Sequence, residues 1–174
     1  ALSISAQFLT ENRDDAIRLL RSSIIDPSFN APDVERVRAQ VLAGLRSDTT
    51  SPNDISSKAF NAMAFGDHPY GSSLSGTTES VMALTRDDLV AAHGDIFAKD
   101  RLFAGAVGDI TPTELGLLLD QLLGDLPDNG APQPQDADVT IEGGVTVIEF
   151  DTPQSVALFG HKGIGLDDPD YFPA

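Results

Sequence analysis

Three short signatures decide most of what this chain can fold into. Ser51-Pro52-Asn53-Asp54, Thr85-Arg86-Asp87-Asp88 and Thr111-Pro112-Thr113-Glu114 each place a hydroxyl three residues before a carboxylate. The hydroxyl can accept from an amide of the first helical turn while the carboxylate reaches back to the capping residue's own amide, so each signature marks a helix start. A stripe at helical spacing follows every one: Ile55, Ala59, Ala62 and Met63; then Leu89, Ala92, His93 and Ile96; then Leu115, Leu118, Leu119 and Leu122. Two further helices are predicted upstream. Asn12 to about Ile25 carries Ala16, Ile17, Leu20 and Ile24 on one side and is stopped by Pro27. Pro32 suits a first helical turn, and Val34, Val37, Val41 and Leu45 recur after it, with Arg36, Arg38 and Gln40 largely outside the stripe.

Between these helices the period changes to two. Ala1–Thr10 sets Leu2, Ile4, Ala6 and Phe8 against Ser3, Ser5 and Gln7, the pattern of a half-buried strand. Leu102–Val107, Val145–Phe150 and Val156–Phe159 read as further strands. The stretch "LPDNGAPQPQDAD" over 126–138 has no period and reads as a linker. The expected class is therefore α+β, helices packed on an antiparallel or mixed sheet. Residues 1–124 form the C-terminal part of a first domain, 125–140 a linker and 141–174 the first strands of a second. The chain opens inside a predicted strand without an initiator Met, which suggests a fragment of something longer.

Charge narrows the function. Acidic residues outnumber basic ones 27 to 11, a net charge of −16. A nucleic-acid partner would need phosphate-neutralising cations, and an anionic membrane surface would repel this chain, so neither is expected. The chain has no cysteine, which excludes thiol catalysis, cysteine-bound zinc and disulfides. No run reaches the ~18 apolar residues of a membrane-spanning helix.

The groups that could carry chemistry are scattered. His68, His93 and His161 share no spacing that would put two ligands on one helical face. His93 belongs to a helical stripe and reads as a core residue; His161 stands in the final loop. Asp14-Asp15 and Asp87-Asp88 fall at helix starts, where negative charge meets the helix dipole. Asp167, Asp168 and Asp170 are too few and too close for a calcium loop. "GHKGIG" lacks the strand-before, helix-after setting of a nucleotide loop, and no G-x-S-x-G elbow is present. No catalytic, cofactor-binding or metal-ligating residue is assigned. The busiest stretch, "FGDHPYGSSLSG" from Phe65 to Gly76, reads as a turn: His68-Pro69 stiffens it, Gly66, Gly71 and Gly76 bend it, and Thr77 caps a short helix after it.

The order of segments nevertheless resembles a known family. "HPYG", "LSGTTESV", "LTRDDL" and "AVGDI" follow one another, and "TPQSVALFGHKGI" comes after the linker, in the order found in the pitrilysin/insulinase family of zinc peptidases. Members similar to mitochondrial processing peptidase match best, and the likeness covers nearly the whole chain. It implies a repeated α+β domain of the metallohydrolase type, incomplete here, with a substrate chamber between repeats. In active members an inverted H-x-x-E-H supplies two zinc ligands and a base, and a distal Glu completes the site. Here there is no H-x-x-E-H. Registering the family's charged run on Glu35-Arg36-Val37-Arg38 puts Gly44 at the distal ligand position, and Ala43, Leu45 and Arg46 beside it offer no carboxylate either. The resemblance therefore implies a non-catalytic subunit or half, without zinc of its own, that helps enclose a peptide or unfolded-protein substrate beside a catalytic homologous subunit. A fragment of an active endopeptidase with its motif upstream, and a binding module that has lost peptidase work, are the alternatives. An exported, periplasmic bacterial location is the expectation that goes with it.

Overall fold

In a computed structural model, residues 2–165 and 167–172 are described. Ala1, where the first predicted strand begins, and Leu166, Pro173 and Ala174 of the final loop lie outside the described residues. The described residues hold six α-helices, in order α1 (Arg13–Ile25), α2 (Ala31–Asp48), α3 (Pro52–Phe65), α4 (Thr78–Ala83), α5 (Arg86–Ile96) and α6 (Pro112–Leu123). Single 3-10 turns occupy Thr10–Asn12, Pro69–Gly71 and Lys99–Arg101.

Each predicted cap is found at its helix. Thr85 Oγ1 accepts from the Asp88 amide at 3.2 Å while the Asp88 carboxylate accepts from the Thr85 amide at 2.7 Å. Thr111 and Glu114 repeat the exchange at 3.3 and 2.9 Å. These bonds hold the Asp88 and Glu114 carboxyls below their usual range, the Thr hydroxyl contributing most. Ser51 caps α3 from its side chain alone, accepting from the Asp54 amide at 3.4 Å. Thr77 and Ser80 exchange the same pair of bonds at α4.

The chain divides into two compact units. The first takes in Ala1–Val34 and Thr85–Pro132. Here Ile17, Ile24, Ala98 and Leu126 are buried. α1 packs on α6, and Arg21 closes their ends by donating to the Gln121 carbonyl at 2.9 Å and to the Asp125 carboxylate. The second takes in Glu35–Leu84 and Gln133–Ala174, with Ala64 and Val81 buried. Arg38 ties α2 to α4: its guanidinium donates to the Val81 carbonyl and, at 2.8 Å, to the Leu84 carbonyl. Arg38, expected largely outside the apolar stripe, has a side chain only 17% exposed, whereas Val37 of the stripe is 47% exposed, and nothing in the stripe foretells that Arg38 reaches across to another helix.

Among the described residues the expected sheet is absent. The described residues hold helices, turns and extended segments, with no strand among them. This corrects the α+β reading, in which helices pack on an antiparallel or mixed sheet. Leu2 to Leu9, 102–107, 145–150 and 156–159 run without a ladder partner, and their apolar residues face outward: Phe103 is 100% exposed and Val145 91%. The physical reason is that alternation specifies only which face a residue would take. A strand also needs another strand about 4.8 Å away to meet its amides and carbonyls, and these stretches do not supply one another's. Where no pairing exists, an alternating sequence remains an extended segment.

Candidate functional site

The three histidines were the natural place to look for chemistry, and each is committed to a main-chain carbonyl. His93 Nε2 lies 2.8 Å from the Ile24 carbonyl at the end of α1, with Phe97 4.7 Å and Phe29 5.9 Å from its ring. A carbonyl only accepts, so Nε2 carries the proton. The ring thus fastens α5 to the end of α1 and to the following loop. Phe29 holds a positive φ of 44° in that loop, an unusual conformation for a bulky side chain. His161 Nδ1 lies 2.7 Å from the Lys162 carbonyl next to it in an exposed segment.

His68 is engaged at both nitrogens. Nδ1 accepts from the Tyr70 amide at 3.2 Å, and Nε2 donates to the Gln135 carbonyl at 3.0 Å. The first bond caps the Pro69–Gly71 turn. Tyr70 stacks edge-on against His68 at 4.8 Å and against Phe65 at 5.7 Å. Gly66 ends α3 at φ 53°, and a Cβ on Gly71 would stand 2.2 Å from the Gly66 carbonyl oxygen. The stretch from Phe65 to Gly76 is a self-supporting turn in which every conspicuous residue has a structural partner.

Gly44 sits in the interior of α2, with nothing within 4 Å of where a Cβ would be. It has space for a side chain and none to offer. Among the described residues no group of three or more His, Cys, Asp or Glu is arranged to hold a metal ion. A groove of about 300 Å³ lies beside α1 and α6, lined by Arg13, Arg18, Glu114, Leu117, Leu118 and Gln121, with Asp14 at its edge. Its cations are already matched, Arg13 to Asp14 at 3.1 Å and Arg18 to Asp15. The Glu114 carboxylate there is spent on the α6 cap. Nothing in the groove pairs a nucleophile with a base. No described helix is long and apolar enough to cross a membrane.

Comparison with known proteins gives this geometry its context. Residues 83–174 match the family model described as the peptidase M16 inactive domain. The chain is 26% identical over 159 residues to a non-peptidase homolog of Helicobacter pylori, covering 91% of this chain and 37% of that protein. It is 25% identical over 166 residues to a probable mitochondrial-processing peptidase subunit beta of Schizosaccharomyces pombe, covering 92% of this chain and 36% of that one. The crystal structure of a peptidase M16 inactive domain from Pseudomonas fluorescens superposes with a TM-score of 0.69 at 23% identity, over 74% of this chain and 31% of that one. At that identity the likeness carries the fold alone. The chain spans a little over a third of the length of these curated relatives.

Proposed function

The chain belongs to the peptidase M16 family, and from that premise we propose that it is a non-catalytic part of a longer M16 protein, one that helps enclose a peptide or unfolded-protein substrate beside a catalytic homologue. The observation that carries the reading is the match of residues 83–174 to the family's inactive domain. Gly44 supports it, since the helix position that the family resemblance assigns to a zinc-binding Glu offers no ligand atom here. That one relative is named as a subunit supports the partner half of the reading. In this view residues 1–124 close one homologous domain, 125–140 connect, and 141–174 open the next. The compartment that suits the reading is the periplasm of a bacterium, testable by fractionation.

The test uses the full-length polypeptide from native extract. Purified alone, it contains well under one zinc per chain and cleaves no peptide; co-purification recovers a homologue that carries an intact H-x-x-E-H. One tightly bound zinc per chain, with chelator-sensitive cleavage by the protein alone, overturns the proposal in favour of an active endopeptidase. Absence of any such homologue from the purified complex also counts against it and favours a binding module.

A further inference from the structure

Residues 126–140, which the sequence marks as linker, are exposed along most of their length yet fastened throughout. Leu126 is buried, and its amide donates to the Leu123 carbonyl at 3.1 Å. The Pro127 and Asp128 carbonyls accept from the Lys99 and Asp100 amides at 2.9 and 3.1 Å. The Gly130 amide donates to the Asp100 carboxylate at 3.4 Å, and the Ala131 amide to the Asp95 carbonyl at 3.1 Å. Gly130 lies so close to this partner segment that a Cβ would stand 2.4 Å from the Asp95 carbonyl oxygen and 2.7 Å from Arg101 Cζ. Arg101 in turn donates to both oxygens of Asp100, at 2.9 and 3.0 Å. Further on, the Gln135 carbonyl accepts from His68 Nε2 at 3.0 Å, and the Thr140 amide donates to the Ala64 carbonyl at 2.9 Å.

We infer that these anchors are a safeguard against proteolysis: they keep an exposed, aperiodic connector from serving as a peptidase substrate. An extended peptide is gripped by main-chain bonds along several consecutive residues, so a chain can be taken in this way only where its own main chain is free over that length. Nowhere in 126–140 is it. The longest runs between anchors are 132–134 and 136–139. Even fully stretched, the longer run reaches only about 13–14 Å. The shorter carries Pro132 and Pro134, whose nitrogens have no hydrogen to give to a pairing strand. Releasing Gln135 alone would join the two runs into residues 132–139, about 26–29 Å of free chain. His68 is therefore the anchor on which the protection turns.

The inference rests on the reading above for the peptidase that threatens the connector, a catalytic homologue acting on peptides or unfolded proteins beside this chain. A loose linker of this composition would be that partner's nearest substrate. Burial does not provide the protection, since residues 132–136 are all exposed. It comes from hydrogen bonds to the main chain, and cleavage has to wait for a local opening that breaks them.

Limited proteolysis of the full-length polypeptide tests this with an unrelated endopeptidase that cuts before aspartate, so the outcome does not depend on the partner. Mass spectrometry follows the first cuts at the bonds Gln135–Asp136 and Ala137–Asp138. In the folded protein both bonds should be cut more than about a hundredfold slower than in a synthetic peptide of residues 124–142. His68→Ala removes the Gln135 anchor, and Thr140→Pro removes the amide hydrogen given to Ala64. Each variant should raise the connector rates at least about tenfold, while the bond Leu119–Asp120 inside α6 is cut at its wild-type rate. Connector rates in the wild-type protein equal to those in the peptide overturn the inference. So do variants that leave those rates unchanged, or that raise them only in step with Leu119–Asp120, which would report loss of the whole fold. A protected connector that loosens in both variants upholds the safeguard even where the zinc and co-purification test goes against the peptidase partner.

Discussion

Replacing Gly44 by alanine tests the most consequential position in the chain. Gly44 is the fourteenth of the eighteen residues of α2, about one turn before its C-terminal end and inside the helix, where glycine has no capping role. A Cβ placed there meets nothing within 4 Å, so no steric charge opposes the change. What remains is propensity: glycine exposes backbone and loses more conformational freedom on folding, and alanine in a helix interior is favoured over it by about 0.8–1.0 kcal/mol. For a chain of this size that corresponds to a rise in melting temperature of roughly 2–4 °C. Urea denaturation followed by helical circular dichroism should show the midpoint rising with an unchanged slope. Gly44→Glu should also fold, with a smaller gain, and should bind no zinc, because all three histidines are already committed to main-chain partners. A loss of stability on Gly44→Ala would refute the reasoning, since it would mean that this face of α2 is packed against something and that glycine was kept for close approach. Uptake of one zinc by Gly44→Glu would refute the premise that the histidines are held by their main-chain partners.

Other outcomes follow from the same contacts. Gly71→Ala should destabilise the chain by about 1–3 kcal/mol, because its Cβ would overlap the rigid Gly66 carbonyl rather than a movable side chain; thermal melting checks it. Ile24→Ala, at a side chain 5% exposed between α1 and its neighbours, should cost about 2–5 kcal/mol in urea titration. Thr85→Ala and Thr111→Ala should each cost about 1 kcal/mol by loss of a cap. Asp88 and Glu114 have folded-state affinities for protons weaker than in the unfolded chain, so their contribution is present above the ordinary carboxyl range and is lost as pH falls through the depressed folded values. Acid titration of the two Thr→Ala variants should accordingly show a flatter loss of stability than the parent chain.

What could be read from the sequence was what neighbouring residues settle among themselves. The capping boxes at Thr85 and Thr111 need only four residues each, and both formed as written. The stripe Ala16, Ile17, Leu20, Ile24 predicted the covered side of α1 because it has a helical partner, α6, to cover it. In α3 the stripe did less well: Ala64 is the buried residue, while Met63 is 44% exposed. Every distant tie was invisible. Arg38 to the α4 carbonyls and His68 to Gln135 join residues 43 to 67 positions apart, and no local pattern records such a choice. The sheet failed for the same reason, since pairing is the least local of all these decisions.

The histidines explain why restoring one glutamate would not make this segment a zinc enzyme. A zinc-bound imidazole gives the metal one bare nitrogen and usually donates from the other to a second-shell partner. His93 donates Nε2–H to Ile24, and its ring is flanked by Phe29 and Phe97. His68 does have a bare nitrogen, but the Tyr70 amide fills it, and freeing it would undo the cap of the Pro69–Gly71 turn. His161 spends Nδ1 on its own neighbour's carbonyl in an exposed segment, and among the described residues it belongs to no group of three or more potential ligands. Metal binding would therefore have to compete with bonds that already hold a helix end, a turn and a connector. The residues that look most like a site in the sequence are the ones the fold can least release.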